Sequence, residues 1–570
     1  MPEGQPARSG AGVQKGLWRE AALLFVLALL LRLLFWRATP DAGWAWSAGF
    51  KGDAPVWLAH AQAIRQGEVF ELGLPLRPPG MAYLLALVWN GEASGIPWLR
   101  LLWIVLGALL APLVYAAAAR SFDVRVARGA GWLTAMATGP LLLSSSLNNE
   151  TPYLVIVLAS FAVFEDARRR GSWLVLWSAL QGVACLFRVE HALFAGLAFP
   201  LLAKTPQRIG LGVAALLAPL VPWQLAAWRA IDRLNTVEPV RPPATQRALL
   251  AVETALAGVR WAPEAARRRE ALPAFCRRSA SLFVAATVAW RGRREVVPDD
   301  LAILDQAFGY FPEPLPHPFV ASYGPLNFAL ANHPGANGGF DRRPLDVPPP
   351  LAFGSGRYPT PLIAGLPPPG LALEYPPHLK LLVHGYSIGV KWIIHDPGAF
   401  ARLAARKLRF FWEGASLGVT GYNLPLGLTG TRRAVDIVTP EPGPLGAVWQ
   451  VGVLVLVVAG AWSGRRSQPL QPWLLYVASK VAVAIFFFGY ARQGALILPA
   501  LALFAALPAT RSVPRSARGL GLALAIPLLL EASRYLSAPA IHIDGRPVEG
   551  PDPWPIDMHH NQRVEFTLFS

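Results

Sequence analysis

The sequence predicts an all-α polytopic membrane protein, and three observations lead to that prediction. Of its 570 residues, 54% are hydrophobic and only 15% are charged, which is too apolar for an ordinary soluble protein of this size. Apolar runs of near-spanning length recur along the chain, and Lys and Arg cluster in every second short loop between them. The clusters account for the net charge of +17 without a nucleic-acid partner, because a surface that tracks phosphates would not be divided among short loops.

Eleven apolar segments approach the length of about 20 residues that a bilayer requires. They cover residues 17–36, 97–119, 127–146, 151–167, 172–187, 190–203, 207–229, 445–463, 470–489, 493–508 and 518–536. The first is expected to stay as an anchor, because it has a basic flank and no small-residue cleavage site after it.

Basic residues precede the first span and follow the second, fourth, sixth, eighth and tenth. They are Arg8, Lys15 and Arg19, then Arg120, Arg125 and Arg128, then Arg168, Arg169 and Arg170, then Lys204 and Arg208, then Arg465 and Arg466, and finally Arg511, Arg515 and Arg518. Short cytoplasmic loops carry an excess of such residues. The N-terminus is therefore predicted to be cytoplasmic, and the odd number of spans places the C-terminus outside.

The loops predicted to lie outside carry ionisable residues of both signs. Asp53 follows the first span, Glu150 lies in LNNETP, Arg188 and Glu190 lie in FRVEH, and Arg492 lies in GYARQG. Each could simply reach the interface from the end of its span. Because charged groups avoid lipid, five of them at one face of a bundle favour a shared cavity.

The first outer segment, residues 37–96, holds two predicted helices. Apolar residues at helical spacing in FKGDAPVWLAHAQAIRQG, which includes Asp53 and Trp57, predict an amphipathic helix that lies along the membrane surface. In LPLRPPGMAYLLALVWN, Pro78 and Pro79 are expected to open a second helix that is too short to span.

The chain is divided into four predicted regions. They are a transmembrane module at 1–230, an extracytoplasmic mixed domain with amphipathic interfacial helices at 231–440, further transmembrane helices at 441–536, and an extracytoplasmic tail at 537–570. In the tail, IHIDG and RVEFTLF alternate apolar and polar residues, which predicts a small β-strand pair.

Several common site motifs do not occur in the sequence. It has no GxxxxGK[ST], no helix-opening GxGxxG after a strand, no HExxH and no CxxC pair, so a nucleotide-driven pump is not expected. The adjacent pair His559 and His560 rarely suits one metal, and Cys185 and Cys276 form no disulfide framework. No metal ligand is therefore assigned.

Five stretches resemble one family in the same order along the chain. GDAPVWLAHAQAI and RPPGMAYLLA resemble the first outer loop of the bacterial GT-C glycosyltransferases of the protein O-mannosyltransferase and aminoarabinose transferase type, which are family 39-like. PLNFALANHPGANGGF, DPGAFARLAARKLRFFWEG and YARQGALILPALALFAA resemble later parts of that group. The matched stretches are spread over most of the chain.

The resemblance implies a GT-C bundle, a sugar donor on a polyprenyl phosphate, and inversion at the anomeric carbon. Asp53 matches the first-loop catalytic acid, Glu150 a second acidic residue after the third span, and Arg492 a cation near the last spans. Two departures are that Ala54 stands where many relatives have a second acid, and Trp57 where Tyr is usual. These weaken an assignment to the protein mannosyltransferases.

Such a transfer requires few catalytic and binding groups. A carboxylate with a raised pKa takes the proton of the acceptor hydroxyl, and cations stabilise the leaving phosphate. Arg188, Arg492 and Arg77 are the candidate phosphate-binding residues, because guanidinium groups bind phosphate in bidentate fashion. The remaining candidate side chains, which line the acceptor cavity, are Trp57, Glu190 and Tyr490.

The predicted function is thus a glycosyltransferase of the cytoplasmic (inner) membrane with an extracytoplasmic active site. Its predicted partners are the lipid bilayer, a polyprenyl-phosphate sugar and an acceptor glycan, lipid or protein. The sequence leaves open whether Asp53 and Glu150 hold a divalent cation between them. The alternatives are a lipid-linked glycan ligase or polymerase, a scaffold without catalysis, and a transporter that uses Asp53, Glu150 and Arg188 as a relay. The sugar, hexose or pentose, and the acceptor are not specified by the sequence.

Overall fold

The computed structural model describes ten parts of the chain, to which all structural statements refer. They are residues 10–38, 54–67, 75–144, 147–236, 314–339, 376–420, 444–489 and 491–509, with the short pieces 542–543 and 546–547.

The described residues are almost entirely helical. The first seven helices are α1 (Gly10–Ala38), α2 (Ala54–Arg65), α3 (Gly80–Val88), α4 (Ile96–Ala108), α5 (Leu110–Ala119), α6 (Val124–Met136) and α7 (Thr138–Leu143). The next five are α8 (Glu150–Arg169), α9 (Gly171–Phe187), α10 (His191–Leu202), α11 (Pro206–Leu217) and α12 (Val221–Thr236). The last seven are α13 (Gly324–Ala331), α14 (Pro376–His395), α15 (Pro397–Thr420), α16 (Pro444–Gly464), α17 (Gln471–Phe486), α18 (Ala491–Ala495) and α19 (Leu498–Ala506).

The predicted spans from 17–36 to 493–508 all overlap helices, whereas 518–536 lies outside the described residues. By length and composition, two helices in the described parts could cross a membrane: Ile96–Ala119, which combines α4 and α5, and Gln468–Phe486, which contains α17. The pair α11 and α12 would make a third if its two bent halves form one span. The total of eleven therefore stays a prediction.

Besides residues 127–146, which Ala137 divides into α6 and α7, two predicted spans are broken. Residues 207–229 form α11 and α12, which meet at an angle of 59°. Residues 493–508 form α18 and the nine-residue α19, and a nine-residue helix reaches only about 14 Å, against about 30 Å for the hydrocarbon layer. Every residue of α19 is buried, so this segment is an internal helix rather than a simple span.

The helices of the bundle pack against one another in several pairs. Helix α8 packs along α9 and α5, α19 packs against α6 and α16, and α15 packs against α17 and α18. Aromatic residues fill the interior, and the Phe161 and Trp473 rings stack with their centroids 4.0 Å apart, which joins α8 to α17. Segments that are far apart in the sequence therefore share one core.

Helix α2 differs from its prediction in what its apolar face contacts. Val56, Trp57 and Ala61 are buried, and α2 packs against α3. The most exposed large apolar side chains in this part are Leu87, at 82%, and Trp98, at 72%. The apolar face of α2 therefore packs inside the protein, because it finds a protein partner that periodicity alone does not reveal.

A short antiparallel pair joins His542–Ile543 to Arg546–Pro547 in the tail. The first strand lies within the predicted IHIDG strand, but RVEFTLF lies outside the described residues. The predicted pairing of those two stretches is therefore not tested.

Candidate functional site

Five charged residues from three separate parts of the chain meet at one end of the bundle. The Nη1 atom of Arg188 lies 2.6 Å from Oε1 of Glu150, and its Nε atom lies 2.5 Å from Oε1 of Glu190. The Nε atom of Arg492 lies 3.8 Å from Glu150, and the Nζ atom of Lys480 lies 3.9 Å from Glu190. We call these five residues the charge cluster.

The helix ends explain why three of these residues meet. Glu150 is the first residue of α8, where the positive end of the helix dipole favours a carboxylate. Arg188 directly follows α9 in an extended conformation, and Glu190 directly precedes α10. Because α8 and α9 are antiparallel neighbours joined at Arg170, the start of α8 lies beside the end of α9.

Glu150, Arg188 and Lys480 are buried, Glu190 and Arg492 are partly exposed, and the cluster carries a net positive charge. Glu150 is 1% exposed, and its Oε2 atom has no hydrogen-bond partner. Burial opposes ionisation of Glu190, but Arg188 and Lys480 lower the pKa of this carboxyl to about 2. Burial likewise opposes the charge on Arg188, yet Glu190 and Glu150 raise its pKa above the ordinary value. Three cations therefore face two carboxylates, which leaves one positive charge.

Sequence reasoning missed Lys480, which lies within the apolar α17. Its side chain is 3% exposed, and its Nζ atom has no hydrogen-bond partner. The ammonium group lies 4.6 Å from the ring centroid of Tyr153 and 5.7 Å from that of Tyr476. The available signal was a single lysine inside a predicted span, since ionisable residues in spans are usually functional.

A buried hydrogen-bond chain supports the aromatic side of the cluster. The Gln181 amide donates to the Trp177 carbonyl, so its Oε1 atom accepts from His191 Nε2 at 2.7 Å. His191 Nδ1 is then the acceptor for the Tyr153 hydroxyl, also at 2.7 Å. This chain fixes the Tyr153 ring, which lies next to both Lys480 and Arg188.

Two glycines place the segment that carries Arg492 against α15. A Cβ atom at Gly489 would collide with the backbone of Lys407, and one at Gly494 would collide with the Phe411 carbonyl oxygen. The Gly489 amide also donates to the Gly338 carbonyl at 3.0 Å. The position of Arg492 therefore depends on backbone contacts on both sides of it.

Lys407 on α15 joins the same three segments with its side chain. It is completely buried, and its Nζ atom donates to Asn332 Oδ1 at 2.9 Å and to the Ile485 carbonyl at 3.1 Å. The Asn332 amide donates to the Phe486 carbonyl at 2.7 Å. Two of the stretches quoted for the family resemblance thus meet here, and Gly494 of the third lies against Phe411 on the same helix α15.

The first outer segment approaches the cluster through Arg77 and Gly80. The guanidinium of Arg77 lies 5.9 Å from the ring centroid of Trp57, which joins α2 to the RPPG stretch. A Cβ atom at Gly80 would lie 2.9 Å from the Leu186 carbonyl oxygen, at the end of α9. This part of the chain therefore borders the turn that holds Arg188, whereas the predicted site residues Asp53 and Tyr490 lie outside the described residues.

The surroundings of Glu150 fit an anion better than a divalent cation. Two guanidinium groups lie within 4 Å of this carboxylate, and they would repel a second cation. Among the described residues, no group of three or more His, Cys, Asp or Glu side chains could hold a metal ion. No metal site is assigned from these contacts.

Comparisons with known proteins give only distant likenesses. No known protein family matches the sequence, and no curated protein matches it. An oligosaccharyltransferase from Archaeoglobus fulgidus, in the apo form, is 15% identical with a TM-score of 0.35, over 91% of this chain and 55% of that one. Its complex with Zn and sulfate gives 15% and 0.33, over 90% and 51%. The archaeal AglB from the same organism, with an inhibitory peptide and a dolichol-phosphate, gives 14% and 0.32, over 93% and 56%. This chain spans about half the length of those chains, and scores this low carry no argument about its activity.

Proposed function

We propose that this protein is an inverting glycosyltransferase that moves a sugar from a polyprenyl-phosphate donor to an acceptor hydroxyl at a membrane surface. The charge cluster is the single observation that carries the proposal. It lies at one end of an apolar helical bundle, with Glu150, Arg188 and Lys480 buried, and has an excess of one positive charge. A sugar phosphodiester carries one negative charge, so it would neutralise the cluster.

The place of the cluster suits an amphipathic donor. The charged head group would lie at the ends of α8, α9 and α10, and the polyprenyl chain would lie against apolar helices. Desolvation of such a site strengthens each interaction between a cation and a phosphate, because the local dielectric constant is low.

The proposed reaction needs one base and no acid. The carboxylate of Asp53 takes the proton of the acceptor hydroxyl as the hydroxyl oxygen attacks the anomeric carbon. The bond between that carbon and the phosphate oxygen breaks from the opposite face, so the configuration inverts. The polyprenyl phosphate leaves with the electron pair of the broken bond, and the cations of the cluster stabilise the added charge.

Glu150 receives a different role from the one that its position in the sequence suggested. The Nη1 atom of Arg188 lies 2.6 Å from this carboxylate and the Nε atom of Arg492 lies 3.8 Å from it, so Glu150 is already engaged with two guanidinium groups. We assign to Glu150 the task of holding the two guanidinium groups beside the donor. Asp53 is the proposed base alone, next to the Ala54 that begins α2.

The remaining assignments follow from this scheme. Arg77 is proposed as a further phosphate-binding residue, and Trp57, Glu190 and Tyr490 are proposed to border the acceptor. The proposed location is the outer face of the cytoplasmic membrane, with the four regions 1–230, 231–440, 441–536 and 537–570. The sugar and the acceptor must be identified by experiment.

The test uses membranes that contain the full chain or its Asp53→Asn variant. Each preparation is incubated with a panel of polyprenyl-phosphate hexoses and pentoses that carry radioactive sugars, and the labelled product is identified. We expect one sugar to be transferred by the original protein and by an Asp232→Asn control, whose carboxylate is exposed on α12. Normal transfer by Asp53→Asn would refute the assignment of the base.

A transporter is the second candidate, because Lys480 lies within a candidate span and two predicted spans are broken. The same assay separates the two functions. A transporter would move the labelled lipid between the two sides of the membrane without forming a new glycosidic bond.

A further inference from the structure

We propose that Lys480 binds the phosphate of the lipid donor directly, within the site of the proposed function. The inference rests on that function and adds a ligand that the sequence did not single out. It also changes the relative importance of the cations, because the sequence indicates Arg188, Arg492 and Arg77 for this contact.

Arg188 already uses its Nε and Nη1 atoms to hold two carboxylates. Its Nε atom donates to Glu190 and its Nη1 atom to Glu150, with Oδ1 of Asn149 3.5 Å from the same Nη1 atom. A phosphate that took over these donors would leave the carboxylates of Glu150 and Glu190 without their closest cation. Arg188 therefore holds the two carboxylates, and any contact that it makes with a ligand falls to its Nη2 atom.

Lys480, by contrast, uses none of its N–H donors in a hydrogen bond. Its ammonium group is buried and makes no hydrogen bond, although it has three N–H donors. The nearest carboxylate oxygen is 3.9 Å away, and the other contacts are the faces of Tyr153 and Tyr476. An aromatic face attracts a cation, but it is a weaker hydrogen-bond acceptor than an anionic oxygen.

A purely structural role for Lys480 would give different contacts. The other buried lysine, Lys407, directs its ammonium group at two oxygen atoms, 2.9 and 3.1 Å away. A buried ammonium group without such acceptors is unfavourable unless a ligand supplies them. The unused donors of Lys480 and the residual positive charge of the cluster point to an anionic oxygen as the missing partner. The two carboxylates of the cluster are already held by Arg188.

A phosphodiester supplies that partner without any covalent step on the protein. One nonbridging oxygen would accept hydrogen bonds from the ammonium group of Lys480 and add a negative charge to the cluster. When the anomeric carbon separates from the phosphate, charge grows on the same group. Lys480 would then stabilise the leaving group as well as the bound donor.

The test measures binding of polyprenyl phosphate to the purified full chain in nanodiscs of zwitterionic lipid. Lys480→Met is compared with Lys391→Met, an exposed lysine on α14 that serves as the control. We expect Lys480→Met to weaken binding about 10- to 100-fold, the range for loss of a hydrogen bond to a charged group, and the control to bind normally. Without ligand, the melting temperature of Lys480→Met should equal or exceed that of the original protein, because an unsatisfied buried charge has been removed.

Two further probes identify the source of the phosphate. If inorganic phosphate competes with the lipid, and only when Lys480 is present, the contact is with the phosphate group itself. If phosphatidic acid binds as tightly as polyprenyl phosphate and is equally sensitive to Lys480→Met, the role of Lys480 is supported for lipid phosphates in general.

Two outcomes would overturn the inference. Equal affinity of Lys480→Met and the original protein for polyprenyl phosphate would exclude direct binding. A lower melting temperature with unchanged affinity would make Lys480 a structural partner of Glu190. Failure of the original protein to bind any probe would instead contradict the proposed function, so the two failures are distinguishable.

Discussion

Two buried lysines in this protein have opposite surroundings. Lys407 on α15 donates hydrogen bonds to Asn332 and to the carbonyl of Ile485, and so joins three distant segments. Lys480 on α17 has no hydrogen-bond partner and lies between a carboxylate and two aromatic rings. Both are almost completely buried.

The difference separates a structural cation from one that is available to a ligand. Replacing Lys407 leaves buried acceptors without donors, so its loss should affect folding. Replacing Lys480 leaves no acceptor that depended on a hydrogen bond from it, so its loss should affect binding. Burial alone therefore does not distinguish the two roles, whereas the state of the donors does.

Arg188 provides the most severe test of this distinction, because it combines burial with two carboxylate contacts. We expect Arg188→Met to lower the free energy of unfolding by about 3–5 kcal/mol, since two buried carboxylates lose their main cation. Urea or thermal unfolding of the purified protein in detergent measures the effect.

The matched control for Arg188 is Arg128→Met. Arg128 forms an exposed ion pair with Glu20, and such pairs contribute about 0–1 kcal/mol. Similar stability losses for the two variants would mean that the carboxylates of the charge cluster do not depend on Arg188.

Lys407→Met tests the comparison directly. We expect a loss of about 2–4 kcal/mol, because Asn332 Oδ1 and the Ile485 carbonyl lose their shared donor in a buried place. Thermal melting beside Lys480→Met is the measurement. If Lys480→Met were the less stable of the two, the distinction between satisfied and unsatisfied donors would fail.

The sequence predicts the charge cluster around Lys480 far better than the contacts of Lys407. Charges at the ends of apolar runs, combined with the alternation of basic loops, bring Glu150, Arg188 and Arg492 to one face, and the structure places these three in contact. Helix positions were also predictable, since hydropathy detects the apolar runs.

What sequence reasoning missed depends on tertiary contacts. Lys480 was overlooked because one lysine scarcely changes the hydropathy of a long apolar run. Lys407 and Asn332 are 75 residues apart, so no local pattern indicates their hydrogen bond. The break before α19 and the burial of α2 likewise arise from packing partners elsewhere in the chain.

Gly494→Ala tests whether the packing of residues 491–495 against α15 affects the binding of ligand at the charge cluster. The added methyl group would collide with the Phe411 carbonyl on α15, and overpacking of this kind costs about 1–3 kcal/mol. Because Arg492 lies two residues away, we expect weaker binding of polyprenyl phosphate in addition to the lower stability.

The control for Gly494 is Gly196→Ala on α10, where the added methyl group meets no atom within 4 Å. Alanine has the higher helix propensity, so this variant should be as stable as the original protein or slightly more stable. Normal lipid binding by Gly494→Ala would show that Arg492 does not depend on this contact with α15.

The last prediction concerns pH, to which Lys407 and Glu190 should respond in opposite ranges. Burial lowers the pKa of Lys407 from 10.5 to about 7, so between these values the unfolded chain binds more protons than the folded one. Stability should then rise with pH in that window, by at most about 1.4 kcal/mol per unit, and Lys407→Met should remove the rise.

Glu190 acts at the acid end, because its pKa is lowered from 4.5 to about 2 in the folded protein. Its contribution is complete above about pH 4.5 and is lost as the pH falls towards 2. Melting curves of the original protein and Lys407→Met from pH 6 to 10 measure the alkaline part, and parallel curves would assign the rise to other groups.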